Sequence, residues 1–222
     1  MPATSDTSAA IANAYQPIAN PAGGYASAMK VTSSWAIGAR QTLGVQRIGI
    51  TGVGDVAADT AASVAGLART LAGQGRRILI IDADPSSAVL QVVLGVPQGP
   101  GLAELLVGRA PFENVIARDT ASPAQLLRVG QNRAAAPTLL ASPHMEAVLD
   151  ALGQVYDLTI MHCGAAEGPG YLALRKCHAA IILGGSNSLA DAARVIDALR
   201  KTGLRTVQFL RINRPIEKAA AA

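Results

Sequence analysis

Residues Ile48–Thr60, IGITGVGDVAADT, decide how this chain is read. Ile48-Gly49-Ile50 is the apolar run of a first buried strand. Gly52 and Gly54 free the backbone to turn, and a helical run of small and apolar residues follows from Val56 to Ala72, closed by Gly73 and Gly75. Such a turn suits phosphate, because a helix N-terminus presents unpaired N–H groups and about half a positive charge. The hydrolytic loop G-x-x-x-x-G-K-[ST] adds a lysine for the outer phosphates and a hydroxyl for magnesium. Thr60 can supply the hydroxyl, but Ala58 and Asp59 occupy the places before it. The chain has four lysines and none lies between Lys30 and Lys176. Arg69 stands more than two turns down the helix, out of reach.

Two readings of this loop stay open beside a phosphate site. Asp55 and Asp59 suit a helix that caps its own N–H groups, and they would repel a triphosphate. Gly52-x-Gly54-x-x-Ala57 also fits the dinucleotide pattern, with Asp82 at the end of the next strand to hold a ribose, although Asp82 lies beyond the usual spacing.

Working outward, strands and helices alternate. Arg77–Asp82 reads as a central strand, apolar on both faces, and Leu126–Val129, Leu158–Met161, Ala179–Leu183 and Val207–Ile212 as further strands. Ser86–Leu94 and Leu102–Val107 read as short helices. Pro143–Leu152 is predicted as a helix facing inward through Met145, Val148, Leu149 and Leu152. Leu189–Thr202 is predicted as one facing inward through Ala192, Val195, Ile196 and Leu199. The alternation predicts an α/β, three-layer, doubly wound and mostly parallel sheet, with ligands outside the carboxyl ends of the strands. The loops after Ile50, Ile81 and Met161 therefore matter most. Residues 1–45 are rich in Ala, Ser, Thr, Pro, Asn and Gly and read as a largely disordered arm, in which Val31–Leu43 can form a short helix anchored by Trp35. The predicted domain spans 46–213 and a flexible tail spans 214–222.

With 222 residues, 50% of them apolar and 3% aromatic, the chain has ample material for a core of aliphatic helices on a sheet. A net charge of +4 with dispersed arginines favours ordinary surface solubility over a nucleic-acid footprint, so no nucleic-acid partner is expected. Apolar runs are too short for a membrane span, and the N-terminal residues, with no basic segment followed by an apolar one, are not expected to be a secretory signal. Two cysteines, Cys163 and Cys177, give no disulfide framework and fit a reducing cytoplasm. The pairs His162-Cys163 and Cys177-His178 offer four zinc-type ligands, but one pair ends a strand and the other begins the next in sequence, at opposite ends of the sheet, so no metal site is expected.

Arg76–Val96, RRILIIDADPSSAVLQVVLGV, is the most specific stretch. With the first strand and helix it resembles the ParA/MinD-like deviant P-loop ATPases, and among them the cytoplasmic domain of bacterial tyrosine kinases that control exopolysaccharide chain length. The strand ending in Asp82-Ala83-Asp84, then Gly101-Leu102 to Gly108, then VYDLTIM and AAIILGG follow that family in order over about residues 46–212. The resemblance implies that Asp82 and Asp84 stand at the family's metal-associated and catalytic aspartates. It also implies three losses. The P-loop lysine is absent, with Ala58 near its place. His162 stands where the third motif has its aspartate, and Gly164-Ala165 replace the proline pair that follows. The tail RINRPIEKAAAA has no tyrosine cluster.

From this resemblance we expect a degenerate kinase or ATPase, inactive in phosphoryl transfer, working in exopolysaccharide (capsule, holdfast or biofilm polymer) synthesis and export. Its expected partner is a membrane chain-length or co-polymerase protein, with self-association also open, at the cytoplasmic face of the inner membrane. No cofactor is required by this reading. The alternatives are an active ATPase or tyrosine kinase binding ATP and Mg2+ through Gly52, Gly54, Thr60, Asp82 and Asp84, and a dinucleotide-binding protein. His162 is expected to be a buried or cleft-edge histidine that hydrogen-bonds locally.

Overall fold

A computed structural model describes residues 24–54, 59–185, 187–204 and 206–212. In chain order the first elements are α1 (Gly24–Leu43), β1 (Arg47–Gly52), α2 (Thr60–Gly73), β2 (Ile78–Asp82), α3 (Val89–Val93), α4 (Leu102–Leu106) and α5 (Phe112–Val115). There follow β3 (Ile116–Arg118), β4 (Gln125–Leu127), α6 (Ala136–Leu140), α7 (Pro143–Val155), β5 (Leu158–Ala165), α8 (Tyr171–Leu174), β6 (Ala179–Gly184), α9 (Leu189–Lys201) and β7 (Thr206–Arg211). The seven strands form one sheet in the order β3-β4-β2-β5-β1-β6-β7. All neighbours are parallel except β3 and β4. This is the doubly wound sheet expected from the alternation, extended by a short antiparallel edge at β3 that three residues of mixed polarity did not announce.

The two faces of the sheet bury two apolar clusters, and strand parity decides which residue enters which. Ile78 and Ile80 of β2 point to the same side as Ile48, Ile50, Leu158 and Ile160, beneath α1 and α2. Leu79 and Ile81 point to the other side with Met161, Ala180 and Ile182, beneath α7 and α9. Every residue of β1, β2 and β6 is buried, which is why their sequences run apolar without alternation. The helix faces of α7 and α9 are as expected: Met145, Leu149, Leu152, Ala192, Ile196 and Leu199 are buried, and Val148 and Val195 pack partly buried beside them.

The segment before β1 differs from its expectation. Instead of a short helix from Val31, α1 starts at Gly24 and packs its Ala28, Met29, Ala36 and Ala39 into the core over α2, with Trp35 partly buried beside them. Residues 24–43 are thus part of the folded unit. Composition misled here because the buried stripe also contains Thr32 and Ser33. Their hydroxyls donate back to Ala28 O (2.8 Å) and Lys30 O (2.9 Å), so they enter the interface with their polar atoms satisfied. Residues 1–23 and the predicted tail, 214–222, lie outside the described residues. Among the described residues, no helix is long and apolar enough to cross a membrane.

Candidate functional site

The site is built by the same parity. Two residues beyond Ile80 on β2 comes Asp82, and two residues beyond Ile160 on β5 comes His162. Both therefore point to the α2 face at the carboxyl end of the sheet, and they are register partners. Above them α2 begins with Thr60. The three side chains meet: His162 Nδ1 lies 3.0 Å from Asp82 Oδ1, and His162 Nε2 lies 3.0 Å from Thr60 Oγ1. A carboxylate only accepts, so Nδ1 carries the proton that is shared with Asp82. Asp82 is 0%, His162 2% and Thr60 2% exposed. His162 is buried, but its bonds are made across the fold to residues 80 and 102 positions away rather than locally.

Asp82 has a second task. Its Oδ1 accepts the Asp84 N–H at 3.3 Å, which shapes the turn after β2. Asp84 in turn accepts the Ser86 N–H at 2.9 Å. Asp82 Oδ2 is buried and, among the described residues, has no hydrogen-bond partner. Being fully buried and held by His162, Asp82 is out of reach of a ribose.

The loop ends differ from their expectations in two places. Asp59 stands at the N-cap of α2 with helical backbone angles, and its side chain makes no capping hydrogen bond, so it does not provide the self-cap expected of it. Asp55 and Ala58 lie outside the described residues. With Thr60 fixed as the hydroxyl residue, the lysine place immediately before it is that of Asp59 rather than Ala58. Gly52 ends β1 and Gly54 turns with φ +65°, packed against Ser188.

On β5 the backbone at Gly164 does not admit proline. The β1–β5 register shifts between Ile50 and Gly52, a bulge in which Gly164 takes φ +61°. Proline is fixed near −65° and cannot occupy that turn. The bulge is tied down by the Thr51 hydroxyl, which donates to Gly164 O at 2.9 Å, and Gly164 leaves no room for a Cβ beside Asp84. A cavity of about 330 Å³ opens toward α9, lined in part by Gly52, Gly54, Ala165 and Arg194. Thr60, His162 and Asp82 are not among the residues that line it.

Two supports escaped sequence reading. Arg69 on α2 grips the buried Asp119 after β3 with two hydrogen bonds, Nε to Oδ2 at 3.0 Å and Nη2 to Oδ1 at 2.7 Å. Glu104, inside the Gly101–Gly108 motif, accepts the N–H groups of Gly101 (2.8 Å) and Asn132 (3.0 Å), locking α4 to the loop after β4. Both are long-range pairings that spacing alone cannot announce. His178 sits at the opposite, amino end of the sheet, its Nδ1 accepting the Gln46 N–H at 3.1 Å. Cys163 and Cys177 are buried free thiols. Burial raises Cys163 well above the ordinary thiol value and pushes Cys177 up to about 12. Among the described residues, no group of three or more His, Cys, Asp or Glu could hold a metal ion.

No family model matches the chain. Among characterised proteins it is 32% identical over 95 residues to the tyrosine-protein kinase ptk of Acinetobacter johnsonii, which covers 43% of this chain and 13% of that protein. It is 29% identical over 119 residues to EpsB of Ralstonia solanacearum, which carries a tyrosine-protein kinase name, covering 54% of this chain and 16% of that protein. The chain thus spans about a sixth or less of the length of these relatives. Among solved structures it superposes on the kinase domain of the Escherichia coli tyrosine kinase ETK with a TM-score of 0.77, at 22% identity, over 92% of this chain and 81% of that one. It superposes on the cell division ATPase MinD of Pyrococcus furiosus with a TM-score of 0.62, at 24% identity, over 73% and 69%. A further neighbour, the cobyrinic acid a,c-diamide synthase of Mycobacterium smegmatis with a bound ATP analogue and magnesium, superposes with a TM-score of 0.61, at 21% identity, over 76% and 72%.

Proposed function

For a chain whose relatives are bacterial tyrosine-protein kinases, and whose fold is that of their kinase domains and of MinD-type ATPases, we propose a role in exopolysaccharide synthesis and export without phosphoryl transfer. It acts as a cytoplasmic domain that docks on a membrane-anchored chain-length or co-polymerase protein. The observation that carries this reading is the His162 imidazole between Thr60 and Asp82. The loop motif puts the magnesium hydroxyl at Thr60, and the resemblance puts a metal-associated aspartate at Asp82 and the third motif's aspartate, which anchors the magnesium water shell, at position 162. Magnesium needs oxygen donors at about 2.1 Å in near-octahedral array, and an imidazole hydrogen-bonded to both flanking groups does not provide that. The donor set does not fit the ion. Without the ion and without the loop lysine, the charge developing on a transferred phosphoryl has no clamp.

The competing reading is an ATP-Mg enzyme. It draws on Asp82 Oδ2, a buried oxygen with no partner among the described residues, on Thr60 at the head of α2, and on neighbours solved with an ATP analogue and magnesium. A genetic experiment separates the two. Cells lacking the chain should lose polymer, and the Asp84→Ala chain should restore it as fully as the unaltered chain. The cytoplasmic part of the chain-length protein should co-purify with both. Restoration that fails with Asp84→Ala at equal protein level would favour the enzyme.

A further inference from the structure

We infer that His162 is a built-in replacement for a divalent cation, a positioning residue that holds the head of α2 against β2 with no ligand bound. The inference rests on the reading that Thr60, Asp82 and position 162 are the metal-associated positions of this fold.

The geometry carries it in three steps. First, Thr60, the opening residue of α2, is 2% exposed, and its hydroxyl is hydrogen-bonded across the fold to His162 at 3.0 Å. Second, the anchor ends on a fully buried carboxylate. Asp82 Oδ1 serves both His162 and the Asp84 N–H, so the buried carboxylate is fixed from the strand side and from the turn. Third, the ring spans the distance between the two residues. It bridges a hydroxyl and a carboxylate, the two oxygen types a hard cation would bridge, through two hydrogen bonds. Even protonated, an imidazole brings one positive charge where magnesium brings two. The replacement therefore preserves the link between α2 and β2 while removing the charge that a polyphosphate would need.

The consequence is a cleft whose order does not depend on metal or nucleotide. The test is thermal unfolding of the unaltered chain and of His162→Asp, each in EDTA and in magnesium chloride, with Mn2+ binding followed by electron paramagnetic resonance. The unaltered chain should unfold at the same temperature in both buffers and leave Mn2+ free. His162→Asp removes the bridge and puts a second carboxylate beside Asp82, so it should unfold several degrees lower in EDTA. Magnesium should then recover much of that loss, with Mn2+ bound saturably, because a ligand that binds only the folded state stabilises it. A purely structural histidine would not yield that gain of metal response. Saturable Mn2+ binding by the unaltered chain overturns the inference, and so does a folded His162→Asp chain with no metal response. If His162→Asp does not fold in EDTA, refolding in magnesium chloride supports the inference and failure to refold in it contradicts it. In that case His162→Asn gives the second measurement. Hydrogen exchange over residues 60–64 should be faster than in the unaltered chain, and unchanged exchange contradicts the clasp. A chain that ignores metal but does not dock on the membrane protein would defeat the proposed function and leave this inference standing.

Discussion

Asp82 and His162 are cross-strand partners at the carboxyl ends of β2 and β5, and their side chains join at 3.0 Å on the same face of the sheet. The pair places a basic ring where a neighbouring acid would otherwise stand, and it carries the link on to Thr60. Removing the ring by His162→Ala leaves a buried carboxylate without its partner. That should cost about 3 kcal/mol in urea denaturation, in the range of broken buried pairs. Thr60→Val, which loses one hydrogen bond, should cost about 1 kcal/mol. In the double variant the two losses should fall short of their sum.

Arg69 and Asp119 should matter nearly as much, although they lie away from the loop. Burial pushes the Asp119 carboxyl up, but hydrogen bonds from Arg69 and Ser122 and the Arg69 charge more than offset it and hold the group below its ordinary value. The Asp119 side chain is 0% exposed, while that of Arg69 is 33% exposed and so partly screened by water. Asp119→Asn should therefore cost about 2 kcal/mol, less than a fully buried pair. Because the folded value is depressed, this contribution is present above the ordinary carboxylate range and is lost as pH falls through the folded value. Urea midpoints at neutral pH and near pH 3 should show the difference between the two proteins shrinking in acid.

Acid sensitivity in a milder range should come from the other end of the sheet. Burial, and then the Arg47 guanidinium, hold His178 below the ordinary histidine value, and Glu146 and Asp150 offset them only in part. The unfolded chain then binds more protons than the folded one just below pH 6.5 or so. Stability from this residue is full above that pH and falls as pH drops below it. Thermal midpoints measured from pH 7.5 to 5.5 should decline less steeply for His178→Asn than for the unaltered chain.

Restoring the proline that the resemblance leads one to expect after position 162 should harm this chain. At Gly164 the backbone sits at φ +61°, where Gly164→Pro cannot be accommodated, and Gly164→Ala would meet Asp84. Gly164→Ala should cost about 1–2 kcal/mol through its left-handed backbone alone. Gly164→Pro should cost more, read as a lower thermal midpoint with altered near-ultraviolet circular dichroism.

What could be read in the sequence and what could not divides along physical lines. Runs such as Ile78–Asp82 and Ala179–Gly184 announce buried parallel strands, because local composition reports burial on both faces. The docked part of α1 was hidden, because Thr32 and Ser33 look polar while their hydroxyls are satisfied within the helix. Motifs point to Thr60, Asp82 and position 162 one by one, but not to their union. The local hydrogen bonding expected of His162 gives way to bonds across the fold, because strand parity places it beside Asp82: both follow an inward isoleucine by two residues. The Arg69–Asp119 and Glu104–Asn132 contacts close loops of 50 and 28 residues, which no local pattern encodes.

The account stands or falls on magnesium-dependent nucleotide binding. Isothermal titration of the purified chain with ATP, in magnesium chloride and again in EDTA, should give no saturable heat in either, and the protein should yield no phosphate from ATP above a buffer control. Saturable micromolar binding that requires magnesium and disappears in Asp82→Ala, together with ATP hydrolysis lost in Asp84→Ala, would contradict it.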